Sequence, residues 1–597
     1  MVNLKIDGVD VSVPEGTTVL RAAQAAGLTI PTLCDHKELT PYGGCRLCLV
    51  EVEGARTLQP SCTLPAGNGM VVLTNTPRVR DARKFVLTLI FSERNHFCMY
   101  CPVSGGDCEL QNSAYGEGMT HWPLQPNWQP FPLDASHPDF VLDNNRCILC
   151  RRCIRACGEL VGNFTLGVEE RGASTLLIAD LGVPLGESSC ISCGVCLQVC
   201  PTGSLIERAG VYMGRNKDVQ RVKSVCAGCS VGCGIELVVR DNRLLRIEGD
   251  WDAGANDGLL CQAGRFEPLK DERERLTTPL VRKNGALKAA TWDEALDTVA
   301  ARLKPLAGQN GTGIAALTSP RLPAEALYQF EQLFGRALKG QMVASLEPLA
   351  QTPLQANSLD ALKHADCVIV AGADLLAQHQ VAGFYIKRAL PKGAKLIVVD
   401  GSDNGLAAIA DCALTAAKGA EAATLAALMS DPTAAKLIAG AAKPVIVVGA
   451  AYMDAALALA ATLKAAVVNA QGQANSMAAA AYRLNQAFEP KGRRAVYLAL
   501  GDEKVLPSLA QQVEGAPFIA VQASYVSQVT AMADVVLPVE MWAEQEGHYL
   551  NLDGRLQEAH RGINPPADVW SNARVFDALA ERLGAKMNAD WQKGLAA

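Results

Sequence analysis

Apolar and polar residues alternate at the start of the chain, in "MVNLKIDGVDVSVPEGTTVL", and this predicts a β-hairpin. Short strands and turns are expected to continue to about residue 78. The period then changes. In "DARKFVLTLIFSERNHF" the apolar positions Phe85, Leu87, Leu89 and Ile90 recur at helical spacing. The Pro- and Trp-rich stretch "THWPLQPNWQPFPLDASHPDF" reads as an ordered, irregular linker. Two cysteine-dense units follow, over residues 138–212 and 220–275. From 276 to 597 the runs "IAALTS", "DCVIVAG", "KLIVVD", "PVIVVG", "AVYLAL" and "PFIAVQ" alternate with Ala/Leu-rich helical segments. That alternation predicts parallel sheets covered by helices on both faces, with length for two α/β lobes.

A chain of 597 residues exceeds one hydrophobic core and implies several domains. The expected class is multidomain, α+β followed by α/β. The longest apolar stretch, "KPVIVVGAAYMDAALALAATLKAAVV", is interrupted by Pro444, Asp454 and Lys464. It reads as a buried strand and a following helix, so no membrane insertion is expected. The N-terminus lacks the basic region, apolar core and cleavage site of a signal peptide. A net charge of −6 gives no electrostatic reason to expect nucleic acid as a partner. The cysteines change the picture most: there are 21, and 19 of them precede residue 262. An odd total without a secretion signal argues against disulfides and for metal in a cytoplasmic protein.

The first set, Cys34, Cys45, Cys48 and Cys62, has one tight CxxC and two distant partners, a spacing that suits a [2Fe–2S] rhombus. Structural zinc is the competing reading. The second, in "NHFCMYCPVSGGDCELQ", offers Cys98, Cys101 and Cys108, one thiolate short of a cubane's usual four. His96 stands two places ahead; whether it is the fourth ligand is open from these residues alone. The third stretch repeats the bacterial ferredoxin run twice, Cys147/Cys150/Cys153/Cys157 and Cys190/Cys193/Cys196/Cys200. In that pattern the fourth cysteine of each run serves the other cluster. One [4Fe–4S] set is therefore Cys147, Cys150, Cys153 and Cys200, and the other is Cys157, Cys190, Cys193 and Cys196. The last set is Cys226, Cys229, Cys233 and Cys261, a further [4Fe–4S] candidate, again with zinc as the competitor. Cys367 and Cys412 read as small buried hydrophobes, the first opening a strand and the second near a helix start.

The remaining histidines, at 36, 121, 137, 364, 379, 548 and 560, are not spaced as ligands of any cysteine set. "GTGIAA" precedes its strand, whereas a dinucleotide fingerprint follows one, so it reads as a turn. No Walker A sequence, nucleophile elbow or H-E-x-x-H occurs. One [2Fe–2S] and four [4Fe–4S] clusters, with no flavin or nicotinamide motif and no expected catalytic residue, describe an electron wire. Clusters carry single electrons while NADH gives two, so a flavin on a partner must split the pair.

The stretches "PTLCDHKELTPYGGCRLCLVEVEG", "ERNHFCMYC", "DASHPDFVLDNNRCILCRRCIRAC" and "SCISCGVCLQVCPTGSL" resemble the small diaphorase subunit of NAD-linked bidirectional hydrogenases. From about residue 220 the motifs "CAGCSVGC", "GAKLIVVD" and "ADVVLPVEMWAEQEGHYLNLDGRLQ" resemble the G-type subunit of NADH–quinone oxidoreductase (complex I), in the molybdopterin-oxidoreductase superfamily. The resemblance implies a β-grasp [2Fe–2S] domain (1–78) and a [4Fe–4S] domain held by His96 and three cysteines (79–120). It further implies a ferredoxin-like two-cluster domain (138–212), a [4Fe–4S] domain (220–275) and a degenerate molybdopterin-oxidoreductase-like region (276–597). It also implies partners: a flavoprotein with FMN and the NAD(P) site, a small [2Fe–2S] subunit, and a hydrogenase or formate dehydrogenase catalytic subunit. The complete two-cluster run and the H-x-C spacing favour that soluble group over complex I proper. Molybdenum is not expected. "MVASLEPLAQTPLQANSLDALKHADC" lacks a metal-ligand motif, and "VVDGSDN" stands where pterin-binding members have "VVDPR".

Overall fold

The computed structural model describes residues 1–124, 128–307, 309, 311–340, 342–349, 358–401 and 404–595. The chain forms two compact units, Met1–Val219 and Gln220–Ala597.

In the first unit the alternating N-terminal residues form strands Val2–Ile6 and Val9–Val13, paired antiparallel. Leu4, Ile6, Val11 and Val13 face inward, as period-two alternation requires. Val71–Leu73 pairs parallel with the first strand and antiparallel with Leu49–Val52, which pairs in turn with Gln59–Pro60, giving a five-stranded mixed sheet. Helix Val19–Ala25, capped by the Thr18 hydroxyl, packs its valine, leucine and alanines into this core. A second helix, Pro77–Glu93, starts at Thr76 and Pro77, an N-cap followed by proline at the first helical position. Its buried face is Val79, Arg83, Leu87 and Phe91, whereas Phe85 and Leu89 are 60% and 47% exposed. The apolar period therefore marks the helix, but only Leu87 and Ile90 of its four positions turn inward. Arg83 occupies the inner stripe because its guanidinium pairs with Glu117 at 3.3 Å and donates to the Leu49 carbonyl. Beyond it lie helix Glu109–Gly116, a three-stranded sheet (Leu205–Glu207, Phe140–Asp143, Leu133–Asp134) and the hairpin Leu166–Glu169/Leu176–Ala179.

The second unit opens with a three-stranded antiparallel sheet, Gln220–Val225, Gly234–Arg240 and Arg243–Gly249. Every apolar run of the α/β region becomes a strand, divided between two sheets. Ile314–Thr318, Met342–Ser345, Ala495–Gly501, Ile519–Ala523 and Val535–Pro538 run parallel in a seven-stranded sheet edged by the hairpin Leu280–Lys283/Ala286–Ala289. Cys367–Ala371, Lys395–Asp400, Cys412–Thr415, Pro444–Val448 and Ala466–Asn469 form a separate parallel sheet. Cys412 thus opens a strand rather than standing at a helix start. Among the described residues no helix is long and apolar enough to cross a membrane.

Candidate metal centres

Among the described residues no three His, Cys, Asp or Glu side chains draw together tightly enough for one metal ion. The cysteine runs instead ring cavities. Cys147, Cys150, Cys153 and Cys200 line a space of about 410 Å³. Cys157, Cys190, Cys193 and Cys196 line another of about 390 Å³. Each quartet thus takes three cysteines from one run and the fourth from the other.

The local backbone explains how a short run can wrap a cluster. Leu149 and Arg151 have φ of 53° and 58°, and Ser192 and Gly194, at equivalent places in the second run, have 54° and 68°. Left-handed residues alternating with ordinary ones turn successive N–H groups inward, as in an anion-binding nest. The amides of Leu149 and Ser192 accordingly donate to Cys147 Sγ and Cys190 Sγ, both at 3.4 Å. Only Gly194 among the four adopts this conformation without steric cost. Each run then enters a helix, Arg152–Arg155 or Val195–Val199, carrying the third cysteine. Burial pushes the Cys147 thiol up to about 11 and raises Cys150 and Cys153 further, with neighbouring thiols adding to the effect. These thiols stay protonated without a cationic guest, and metal binding would release their protons.

His96, Cys98, Cys101 and Cys108 line a smaller cavity of about 270 Å³ with Arg146, Thr202 and Gly203. The His96 ring is 9% exposed and donates to the Ile90 carbonyl, while its Nε2 has no hydrogen-bond partner. That arrangement puts the ring proton on Nδ1 and leaves the Nε2 lone pair available. Burial, aided by the Arg94 and Arg146 cations, pulls the imidazole down to about 4, so it is neutral, the form a metal needs. Burial also pushes Cys108 up to about 12. The donor set fits a four-ligand cluster. Gly203 closes the cavity: a Cβ there would stand 2.4 Å from Cys101 Sγ. Thr202 lines this cavity and the Cys147 cavity alike, so one strip of backbone separates the two.

In the first set the amide of Cys45 donates to Cys34 Sγ at 3.5 Å. Thiol contacts link Cys34 with Cys45 and Cys62, and Cys62 with Cys48, so each of the four touches another of the set. Sharing of those protons holds Cys34 well below the ordinary thiol range and Cys62 well above it.

In the second unit, burial and mutual repulsion raise Cys229 and Cys233, and burial pushes Cys261 up to about 11. A Cβ at Gly264 would lie 3.3 Å from Cys226 Sγ and 3.8 Å from Cys261 Sγ, which places these sulfurs around one point. Arg321 faces this site: it donates to the Ala227 carbonyl at 3.3 Å and pairs with Asp502 at 2.6 Å. Asp502→Ala removes the paired carboxylate of that partly buried cation and is expected to destabilise the second unit by about 1–2 kcal/mol, read as a lower unfolding transition in calorimetry.

Two contacts escape sequence reading. His137 Nε2 lies 3.0 Å from Ser192 Oγ, and His379 Nε2 lies 2.9 Å from Ser230 Oγ, so each braces a residue between two cysteines of a candidate set. Histidines so far away in sequence give no spacing signal. Residues 350–357 and 402–403, within the two segments that bear on molybdenum, lie outside the described residues.

Comparison with known proteins matches each part. The 2Fe-2S iron-sulfur cluster binding domain matches residues 1–77, and the NADH-ubiquinone oxidoreductase-G iron-sulfur binding region matches 83–122. The 4Fe-4S dicluster domain matches 146–204 and the molybdopterin oxidoreductase Fe4S4 domain 219–268. A G-type subunit of NADH-quinone oxidoreductase from Rhizobium meliloti (strain 1021) is 35% identical over 72% of this chain and 51% of its own length. The NADPH-Fe(3+) oxidoreductase alpha subunit of Geobacter sulfurreducens (strain DL-1 / KN400) is 33% identical over 67% of this chain and 48% of its own. The chain therefore spans about half the length of these curated relatives. A solved NAD+-reducing [NiFe]-hydrogenase in the H2-reduced state is 38% identical, covering 36% of this chain and 90% of that one with a TM-score of 0.34. The molybdopterin oxidoreductase model matches residues 275–582, more than half of the sequence. The chain belongs to the molybdopterin oxidoreductase family and carries 2Fe-2S and 4Fe-4S domains of the NADH-ubiquinone oxidoreductase-G type.

Proposed function

We propose that this chain is a multi-cluster electron-transfer subunit of a soluble NAD(P)-linked hydrogenase or formate dehydrogenase complex, a class that includes flavin-bifurcating members. It carries electrons between a flavoprotein that oxidises NAD(P)H, with a small [2Fe–2S] subunit beside it, and a terminal catalytic subunit. The observation that carries this reading is the sorting of twelve ligand residues into three cavities, four to each. In this reading Cys34, Cys45, Cys48 and Cys62 hold a [2Fe–2S] cluster, and the other four sets each hold a [4Fe–4S] cluster. The region 276–597 is then scaffold and docking surface without molybdenum, and the divisions at 78, 120, 138, 212 and 275 separate functional modules.

Bound clusters supply reversible one-electron storage. The residues of the chain set potential and spacing. Amides aimed at sulfur stabilise the charge that arrives with an electron. Spacing is fixed by one helical turn. Arg155, between Cys153 and Cys157, donates to the carbonyls of Cys34 and Thr40, the latter at 2.5 Å. Arg152 holds Glu109, next to Cys108, through two bonds of 2.7 and 2.8 Å, and reaches the Val199 carbonyl beside Cys200. Three ligand-bearing modules of the first unit therefore share one anchor.

Similarity to a G-type NADH-quinone oxidoreductase component supports a second reading, in which the chain is the corresponding part of a complex I assembly. Both readings predict that NAD(P)H bleaches the cluster absorption of the purified chain only after the flavoprotein is added. Bleaching of the chain alone contradicts both. Co-purification with a soluble hydrogenase or formate dehydrogenase partner supports the first, and co-purification with quinone-module proteins overturns it.

A further inference from the structure

Arg146 stands at the boundary between two candidate clusters. It lines the His96 cavity, and the next residue, Cys147, lines the neighbouring one. Among the described residues lining the His96 cavity it is the one arginine or lysine. The Arg146 carbonyl accepts from Thr202 Oγ1 at 2.8 Å, within the backbone strip that separates the cavities. Its guanidinium reaches the Tyr100 carbonyl at 3.4 Å and pairs through Nε with Asp143 Oδ2 at 3.2 Å. Both side chains of that pair are about nine-tenths buried, at 11% and 10% exposure, where solvent screens little. Arg94, the other nearby cation, also acts on the imidazole but does not line the cavity: it donates to the Asn144 and Thr175 carbonyls and lies over Phe131.

Cluster potentials respond to net charge, hydrogen bonds to sulfur and exposure. A fixed cation lining one cavity with Cys98 and Cys101 favours the state with one more electron. A carboxylate behind that cation offsets part of its field. We propose that Arg146 sets the reduction potential of the His96/Cys98/Cys101/Cys108 centre, with Asp143 as the counter-charge that trims it. The inference rests on the reading that these four residues hold a cluster. It adds a residue that is not a ligand, and it makes the potential step between this centre and the Cys147 centre a property of the Asp143–Arg146 pair.

The test is redox titration of the full cluster-loaded chain followed by electron paramagnetic resonance. The His96 component is identified first as the one that changes in His96→Cys. Arg146→Gln is expected to lower its midpoint while the [2Fe–2S] component and the iron content hold, and Arg146→Lys is expected to stay near the wild type. Asp143→Asn keeps an acceptor for the Asn145 amide, which Asp143 Oδ1 now serves at 2.9 Å, and is expected to move the midpoint upward. A merely structural role would not produce shifts of opposite sign. An unchanged midpoint in Arg146→Gln at full iron content, or shifts of the same sign in both variants, overturns the proposal. If Arg146→Gln fails to fold, the direction of the Asp143→Asn shift decides it alone. If His96→Cys alters no component, the ligand reading falls and the proposal falls with it.

Discussion

Cys157→Ser is expected to abolish the cluster of Cys190, Cys193 and Cys196 and to leave the cluster of its own run intact. The reason is geometric: Cys157 lines the cavity of the second run, and Cys200 lines that of the first. Iron should fall by about four atoms of about 18 per chain, and one [4Fe–4S] component should vanish from the spectrum of the reduced protein. Cys200→Ser is the mirror experiment and removes the other component. Loss of the same component in both variants contradicts the crossed arrangement. Four iron per site makes these the largest effects expected of any single substitution in the first unit.

Gly203→Ala should be nearly as severe at the His96 site, although it adds only a methyl group. That methyl would sit 2.4 Å from Cys101 Sγ and 3.2 Å from Val103 Cγ2, and neither belongs to a long side chain that can swing aside. Cys101 follows the turn Cys98–Tyr100, and Val103 packs with Phe91 and Leu110. The added carbon therefore displaces a ligand. The expected readout is a loss of about four iron together with the component that responds to His96→Cys. A full iron complement with an unchanged spectrum contradicts this role for the wall between the two cavities.

These expectations rest on features of unequal visibility in the sequence. Candidate ligand cysteines are legible because cluster chemistry fixes both residue type and spacing. The backbone that aims them is not: Leu149 and Arg151 take left-handed conformations that neither residue favours, and only Gly194 hints at the repeat. Arg83 shows another limit. A charged residue on the inner stripe of Pro77–Glu93 disguises the buried face, because its partners, Glu117 and the Leu49 carbonyl, lie far away in sequence. In the α/β region each apolar run announces a strand, but not its sheet. The chain leaves the larger sheet after Ser345, builds a second one from Cys367 to Asn469, and rejoins the first at Ala495. Strand order of that kind is set by long-range packing, which local periodicity does not encode. The braces at His137 and His379 belong to the same class.

The central claim is that the chain is a wire of five clusters on a scaffold without molybdenum. Metal analysis of the purified, anaerobically loaded chain tests it most directly. The expected result is about 18 iron atoms per chain, in one [2Fe–2S] and four [4Fe–4S] centres, and no molybdenum. Stoichiometric molybdenum contradicts it.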